Sequence, residues 1–308
     1  MELDLENPLS NVNDLFPAAS TPSLFLLESH HMPTLYYINT LKATHLDISV
    51  RREAISSISQ LSCKFGPFLP YLAITYLDRF LSSQGVAVKN QPNTWVLRLV
   101  AISCVSLAAK MMKTDFSLAD FQGDGGFMFD AQTVERMEYL ILGALKWRMR
   151  SITPLSFVSF FISLFKVKDP PLKQALKARA VEIIFKAQFD TKLLEFKPST
   201  IAASAVLSAS HQLFDGKQFP SFKKAISSCS YVNKENMVKC TNWVEEIAME
   251  GSESIWDYQH ICSSGSEITT VTPRTEGDMK RRKINDYGTV IKTVDCPVSK
   301  RVLIHGPF

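Results

Sequence analysis

Three stretches of this chain set charges inside otherwise apolar helical sequence: Tyr76-Leu77-Asp78-Arg79-Phe80-Leu81-Ser82, Leu107-Ala108-Ala109-Lys110-Met111 and Arg136-Met137-Glu138-Tyr139-Leu140-Ile141-Leu142. A charge taken out of water is costly unless it is paired, so each segment demands a partner from elsewhere in the fold. The charges come in both signs. A chain built this way has to bring helices that are distant in sequence side by side.

Helical periodicity runs through the middle of the chain. From Ser49, the residues Ile55, Ile58, Leu61 and Phe65 recur at three- and four-residue spacing on one face. Gly66-Pro67 ends that helix, and a second is predicted from Phe68 to Ser82, closed by Gly85. A third follows Pro92 and is apolar on nearly all sides (Leu99, Ile102, Val105, Leu107, Ala109), the pattern of a helix surrounded by others. A short helix is expected from Ser117, with Asp120 as its capping-box-like partner. Asp130 is placed to cap a fifth, whose predicted buried stripe is Val134, Met137, Ile141 and Leu145. Thr153-Pro154 reads as an N-cap followed by proline at the first helical position, opening a second group with helices near 170–190, 198–211, 219–228 and 232–249. No stretch alternates apolar and polar residues for long, so no sheet is expected.

In this order and spacing, the YLDRFLS string at Tyr76–Ser82 and the LAAKM string at Leu107–Met111 resemble the cyclin box, and residues 49–150 are most similar to that of a plant D-type cyclin. The resemblance implies an all-α cyclin fold of two consecutive five-helix lobes; that the second group repeats the first is implied by the resemblance alone. The expected organisation is a flexible N-terminal arm at 1–44, an N-terminal cyclin box at 45–150, a C-terminal lobe at 151–261 and a disordered Ser/Thr-rich basic tail at 262–308. Within the arm, the cluster Leu24 to Leu27 reads either as a short helix packed on the next domain or as part of a partly ordered segment.

An apolar fraction of 46% and a charged fraction of 21% suit a globular protein with real cores. The net charge is only +4. Met1 to Leu41 hold five acids and no Lys or Arg, and from Cys262 onward eight Lys/Arg stand against five Asp/Glu. The tail holds +3 of the total +4, which argues against the alternative of a DNA-binding, cyclin-fold transcription factor, so no nucleic-acid partner is expected. Six cysteines without a C-x-x-C pair read as buried thiols in a reducing compartment. The amino terminus lacks the pattern of a signal peptide, and the most apolar stretch, Trp95 to Met112, contains Arg98 and Lys110; an intracellular, soluble protein with no membrane partner is expected. No nucleophile, metal or phosphate-loop motif is present: Gly123-Asp124-Gly125-Gly126 reads as a turn, and His30, His31, His45, His211, His260 and His305 form no ligand pattern. The expectation is a protein that is not an enzyme, with no catalytic residues, metal or cofactor.

Read from the residues alone, Lys110 and Glu138 form an ion pair between two helices. The resemblance implies more. In cyclins, Lys and Glu at these positions hydrogen-bond the backbone beside the PSTAIRE-type helix of a cyclin-dependent kinase, with apolar contacts implied at Leu107, Met111, Leu142, Trp147 and Met149. Gripping that helix only in its inward position shifts the kinase to its active arrangement. Arg51 and Asp78 match a further pair of the family, an internal salt bridge between the first two helices. The implied role is activation of a Ser/Thr kinase at the G1/S transition or in formative division; binding without activation, as a scaffold, stays open.

The departures from the pattern concern recognition. Met112-Lys113 stands where the family has an acidic pair, and Ser56-Ser57 stands where it has Asp-Trp of the groove that docks R-x-L motifs; Arg98 also replaces an uncharged residue there. Docking of R-x-L partners is expected to be weak or absent, while kinase inhibitors remain among the implied partners. The L-x-C-x-E motif for pocket proteins is missing, since Leu61-Ser62-Cys63-Lys64-Phe65 lacks the Glu, and the chain resembles the short sixth group of plant D-type cyclins. In the tail, Lys280-Arg281-Arg282-Lys283 suits nuclear import, which implies the nucleus as well as the cytoplasm, and Thr272-Pro273 is a minimal proline-directed phosphorylation site.

Overall fold

The computed structural model describes residues 21–43, 45–84, 94–115, 117, 129–214 and 218–249. The short helix expected around Asp120, the turn at Gly123–Gly126, Thr272 and Lys280–Lys283 lie outside the described residues. Among the described residues there are eleven α-helices and no strand. They are α1 (Thr21–Leu27), α2 (Leu35–Ala43), α3 (His45–Leu61), α4 (Phe68–Gln84), α5 (Thr94–Met111), α6 (Ala131–Ala144), α7 (Leu155–Leu164), α8 (Pro170–Ala187), α9 (Pro198–Leu213), α10 (Phe219–Ser227) and α11 (Lys234–Met249). Short 3₁₀ turns occupy Glu28–His31 and Thr191–Glu195.

Local chemistry sets the starts. Asp130 Oδ1 accepts the Thr133 N–H at 2.6 Å and so caps α6. Proline opens α8 and α9, where its missing N–H costs nothing. At α7 the expected cap works in reverse: Thr153 makes no side-chain cap, and its own N–H donates to Ser156 Oγ at 3.4 Å. Ser156 thus supplies the returning half of a capping box. In α6 the buried stripe runs Val134, Glu138, Ile141 and Leu145, with Met137 only partly buried, so the carboxylate takes the place predicted for the methionine.

Two cores result. α5 is the central helix of the first, in contact with α3, α4 and α6 and buried along most of its length. This is the one helix long and apolar enough to cross a membrane among the described residues, and 67% of it is buried inside the protein. α9 has the same place in the second core, enclosed by α7, α8, α10 and α11; its Ala202, Ala203, Ser204 and Ala205 let the neighbouring backbones approach. Phe157 and Phe161 of α7 are fully buried beside it. The two cores meet where Phe68 and Tyr71 of α4 set their rings against Phe185 of α8, at 5.2 and 5.4 Å.

The arm belongs to this architecture. Leu24 and Phe25 are buried in the second core, not the first, with Phe25 stacked on Tyr231 at 4.5 Å and tilted against Phe157 at 4.8 Å; Leu26 and Leu27 are exposed. Glu28, fully buried, accepts the Ser199 N–H at 2.8 Å and the Ser199 hydroxyl at 2.9 Å, which places an anion at the N-terminus of α9. Glu28→Ala leaves that buried N–H without an acceptor and is expected to cost about 1–3 kcal/mol in urea unfolding. A loss under about 0.5 kcal/mol would show that solvent reaches Ser199.

His31, next in the arm, has its pKa lowered to about 4 by burial, helped by the charges of Arg79, Arg148 and His30. The folded state therefore binds fewer protons here than the unfolded chain, whose histidine titrates near ~6.5. This contribution to stability is complete above that pH and is lost as pH falls toward about 4. Burial raises the Glu28 carboxyl and works the other way, so the contrast is between variants. His31→Asn is expected to flatten the decline of the thermal midpoint between pH 7 and pH 5 relative to wild type (~1.5 units below the unfolded-state pKa); parallel profiles would refute the assignment.

Candidate functional site

The second half of the charged pattern converges at the C-terminal end of α5. Lys110 lies in the last turn, where a cation suits the helix dipole, and its Nζ donates to Glu138 Oε2 of α6 at 2.5 Å. The two ends differ in surroundings: the Lys110 side chain is 62% exposed and that of Glu138 only 7%. The pair presents a positive charge to solvent above an anchored carboxylate.

The apolar residues implied around it divide. Leu107 and Met149 are 5% and 8% exposed and belong to the first core, while Leu142 packs partly against it. Met111 and Trp147 face solvent, Trp147 being 66% exposed. Tyr139 and Leu140 of α6 are also more than half exposed, although they were not singled out from the sequence. Their signal was available: both fall off the Val134–Glu138–Ile141–Leu145 stripe, so on an amphipathic helix they had to point outward.

Trp147 is held by its backbone. After α6 ends, Lys146 and Trp147 adopt left-handed conformations with φ of 53° and 59°. Their N–H groups donate to the carbonyls of Gly143 and Leu142, both at 2.9 Å, which satisfies the helix end without a glycine. Side chains disfavour this region by about 1–2 kcal/mol each, so strain is spent on presenting an indole to water. Lys113, in the altered Met112-Lys113 position, is likewise left-handed with φ 51° and terminates α5. Ser56 is exposed and Ser57 half-buried on α3, and Arg98 is half-buried.

The first charged segment serves the structure. Arg51 Nε and Nη2 donate to Asp78 Oδ1 and Oδ2 at 2.7 and 2.9 Å, a fork-to-fork pair buried at both ends. Arg51 also donates to the carbonyls of Phe189 and Gln188 at 3.1 and 3.0 Å, so it fastens the first lobe to the end of α8 as well as to α4. The remaining polar groups of Tyr76–Ser82 do similar work. The Tyr76 hydroxyl donates to the Met149 carbonyl at 2.9 Å, Arg79 Nη1 to that of Arg148 at 2.9 Å, and Ser82 Oγ accepts the Thr34 N–H at 2.7 Å. One helix thereby pins the arm, the first lobe and the connection between lobes.

The charge count also changes its meaning here. With −5 on residues 1–41 and +3 on the tail, the net +4 leaves +6 on residues 42–261, so the tail's excess does not by itself argue against a basic helical body. What places the chain is its kinship.

The family model for the cyclin N-terminal domain matches residues 22–150, and that for the cyclin C-terminal domain matches residues 152–261. An Arabidopsis thaliana protein bearing the name cyclin-D6-1 is 45% identical over 303 residues, covering 92% of this chain and 98% of its own. Cyclin-D6-1 of Oryza sativa subsp. japonica is 35% identical over 302 residues, covering 91% of this chain and 90% of its own. The crystal structure of a viral cyclin from herpesvirus saimiri superposes with a TM-score of 0.52 at 18% identity, covering 66% of this chain and 86% of its own, which shows a shared fold. The chain therefore belongs to the cyclin family, regulatory proteins of the cell cycle, and within it to the D6 group of plant D-type cyclins.

Proposed function

We propose that this cyclin binds a cyclin-dependent kinase of the PSTAIRE type at the face around Lys110, and that it activates the kinase for the G1/S transition or for formative division. The observation that carries the reading is the exposed Lys110 ammonium seated on a nearly buried Glu138, with exposed Met111 next in sequence and a strained, outward Trp147 closing α6. An ammonium donates to backbone carbonyls of a partner helix end, a carboxylate accepts from backbone amides, and the indole supplies area of the kind concentrated at hot spots. The kinase supplies the chemistry. The cyclin contributes differential binding, stabilising the inward position of the kinase helix in which its glutamate pairs with the ATP-orienting lysine.

The test is co-purification with a panel of cyclin-dependent kinases, wild type against Lys110→Ala/Glu138→Ala, with phosphate transfer assayed in each complex recovered. Loss of both binding and activity in a folded variant is expected. Binding with no activation would instead favour a scaffold. In the same reading Lys280–Lys283 direct nuclear import and Thr272 is a regulatory phosphorylation site; replacing the four basic residues by alanine in a fluorescent fusion is expected to shift the protein from nucleus to cytoplasm.

A further inference from the structure

Between the arm, α4 and the second lobe lies a cavity of about 100 Å³. Its wall is mainly apolar, but His31, Arg79, Asp78 and Asp190 also line it. Arg79 is the unusual member. It is 8% exposed, and its Nη1 spends both hydrogens on the Arg148 carbonyl at 2.9 Å and Ser151 Oγ at 2.8 Å. Among the described residues its Nε and Nη2 make no hydrogen bond and no carboxylate pairs with it, since both of its bonds come from Nη1. His31 Nδ1, at the same cavity, is buried without a partner. Arg148 adds a further positive charge that acts on both groups.

The carboxylates nearby are already committed. Asp78 is held by Arg51 and accepts from the Tyr37 hydroxyl at 3.3 Å, and Asp190 Oδ1 accepts the Lys192 N–H at 2.8 Å. A guanidinium that is 8% exposed and has no counter-ion is costly, and its three unused N–H groups are open to solvent, where an anion can reach them. Water in the cavity can accept those bonds but cannot neutralise the charge. A tetrahedral oxyanion does both, because the planar guanidinium matches two of its oxygens and the neutral imidazole, in the tautomer with its proton on Nδ1, donates to a third.

We infer that this interlobe cavity is a binding site for a phosphoryl oxyanion, engaged by Nε and Nη2 of Arg79 with His31 beside it. The inference does not depend on kinase binding, since the cavity shares no lining residue with the Lys110 face. The phosphoryl group comes either from free inorganic phosphate or from a phosphorylated side chain.

The test titrates the purified full chain with inorganic phosphate at constant ionic strength, by calorimetry and by thermal unfolding. A saturable rise in Tm is expected, about 3–5 °C at ten times Kd, with no such rise in equivalent potassium chloride. Arg79→Gln should abolish it. Because that variant also loses two structural hydrogen bonds, His31→Asn provides the second arm and should weaken binding at least about fivefold in a chain of unaltered secondary structure (~1 kcal/mol). A phosphoserine peptide binding tighter than inorganic phosphate, with its serine counterpart silent, assigns the source to a phosphorylated partner; inorganic phosphate binding as tightly as the peptide assigns it to the free ion. A response equal to that in chloride, or one that His31→Asn leaves unchanged, overturns the site.

Discussion

Arg51→Met is expected to lower the stability of the helical body by about 3–5 kcal/mol, the cost of leaving a buried charge without its partner. The Asp78 carboxylate is buried and keeps only the Tyr37 hydroxyl at 3.3 Å once the guanidinium is gone. The carbonyls of Gln188 and Phe189 lose a donor in the same step, so the link from α3 to the second lobe goes with the ion pair. With m near ~3 kcal/mol/M, the urea midpoint should fall by about 1 M or more. The double variant Arg51→Met/Asp78→Leu is expected to recover much of the loss, because replacing a buried pair by apolar groups of similar volume removes both desolvation penalties. The carbonyls of Gln188 and Phe189 stay without the Arg51 donor in the double variant, so the recovery should be incomplete. If the single variant loses under about 1 kcal/mol, water reaches Asp78 and the pair is not the fastener described.

The second large effect concerns the face around Lys110 proposed to bind the kinase. Lys110→Ala is expected to weaken kinase binding by about 2–5 kcal/mol, or roughly 30-fold to several thousandfold, as for truncation of one member of a desolvated charge pair at an interface. Glu138→Ala should fall in the same range. Their effects on the free cyclin should differ. Removing Lys110 strands a carboxylate that is 7% exposed, while removing Glu138 frees an ammonium that is already 62% exposed. Lys110→Ala is therefore the more destabilising of the two in the unbound chain. Trp147→Ala separates recognition from folding. The ring is 66% exposed and contributes little to the core, so the thermal midpoint should hardly move while affinity falls by about 2 kcal/mol or more. Affinity unchanged in both Trp147→Ala and the Lys110/Glu138 double variant, measured on folded protein by surface plasmon resonance, would remove the kinase face from this part of the molecule.

Much of this architecture is legible in the sequence because helices announce themselves locally. Asp130, Pro170 and Pro198 mark starts by their own backbone chemistry, and the unbroken apolar character of α5 and α9 identifies them as helices enclosed by others. The assignment of Lys110 to Glu138 is legible in part, because opposite charges in apolar helices have few ways to be satisfied. Which of the apolar neighbours face solvent is less so. Leu107 and Met149 are as apolar as Met111 and Trp147, and periodicity alone could not show that α6 ends in two left-handed residues that turn Trp147 outward while Met149 folds back under Tyr76.

The arm shows the same limit more sharply. Spaced prolines break any long helix there and leave the Leu24–Leu27 cluster open between a packed helix and a partly ordered segment, yet Phe25 finds Phe157 and Tyr231, and Glu28 finds the N-terminus of α9, each more than a hundred residues away in sequence. Arg79 likewise reads as one more charge on a helix until the fold closes a cavity over it. The sequence by itself determined the helical class, the helix starts marked by Asp130 and by proline, and the need for paired charges, since these depend on contacts within a few residues and on the cost of desolvation. Only the tertiary structure decided which charge is a fastener, which is a surface feature and which is left unpaired in a cavity, because burial and partnership are set by segments that meet only after the chain has folded.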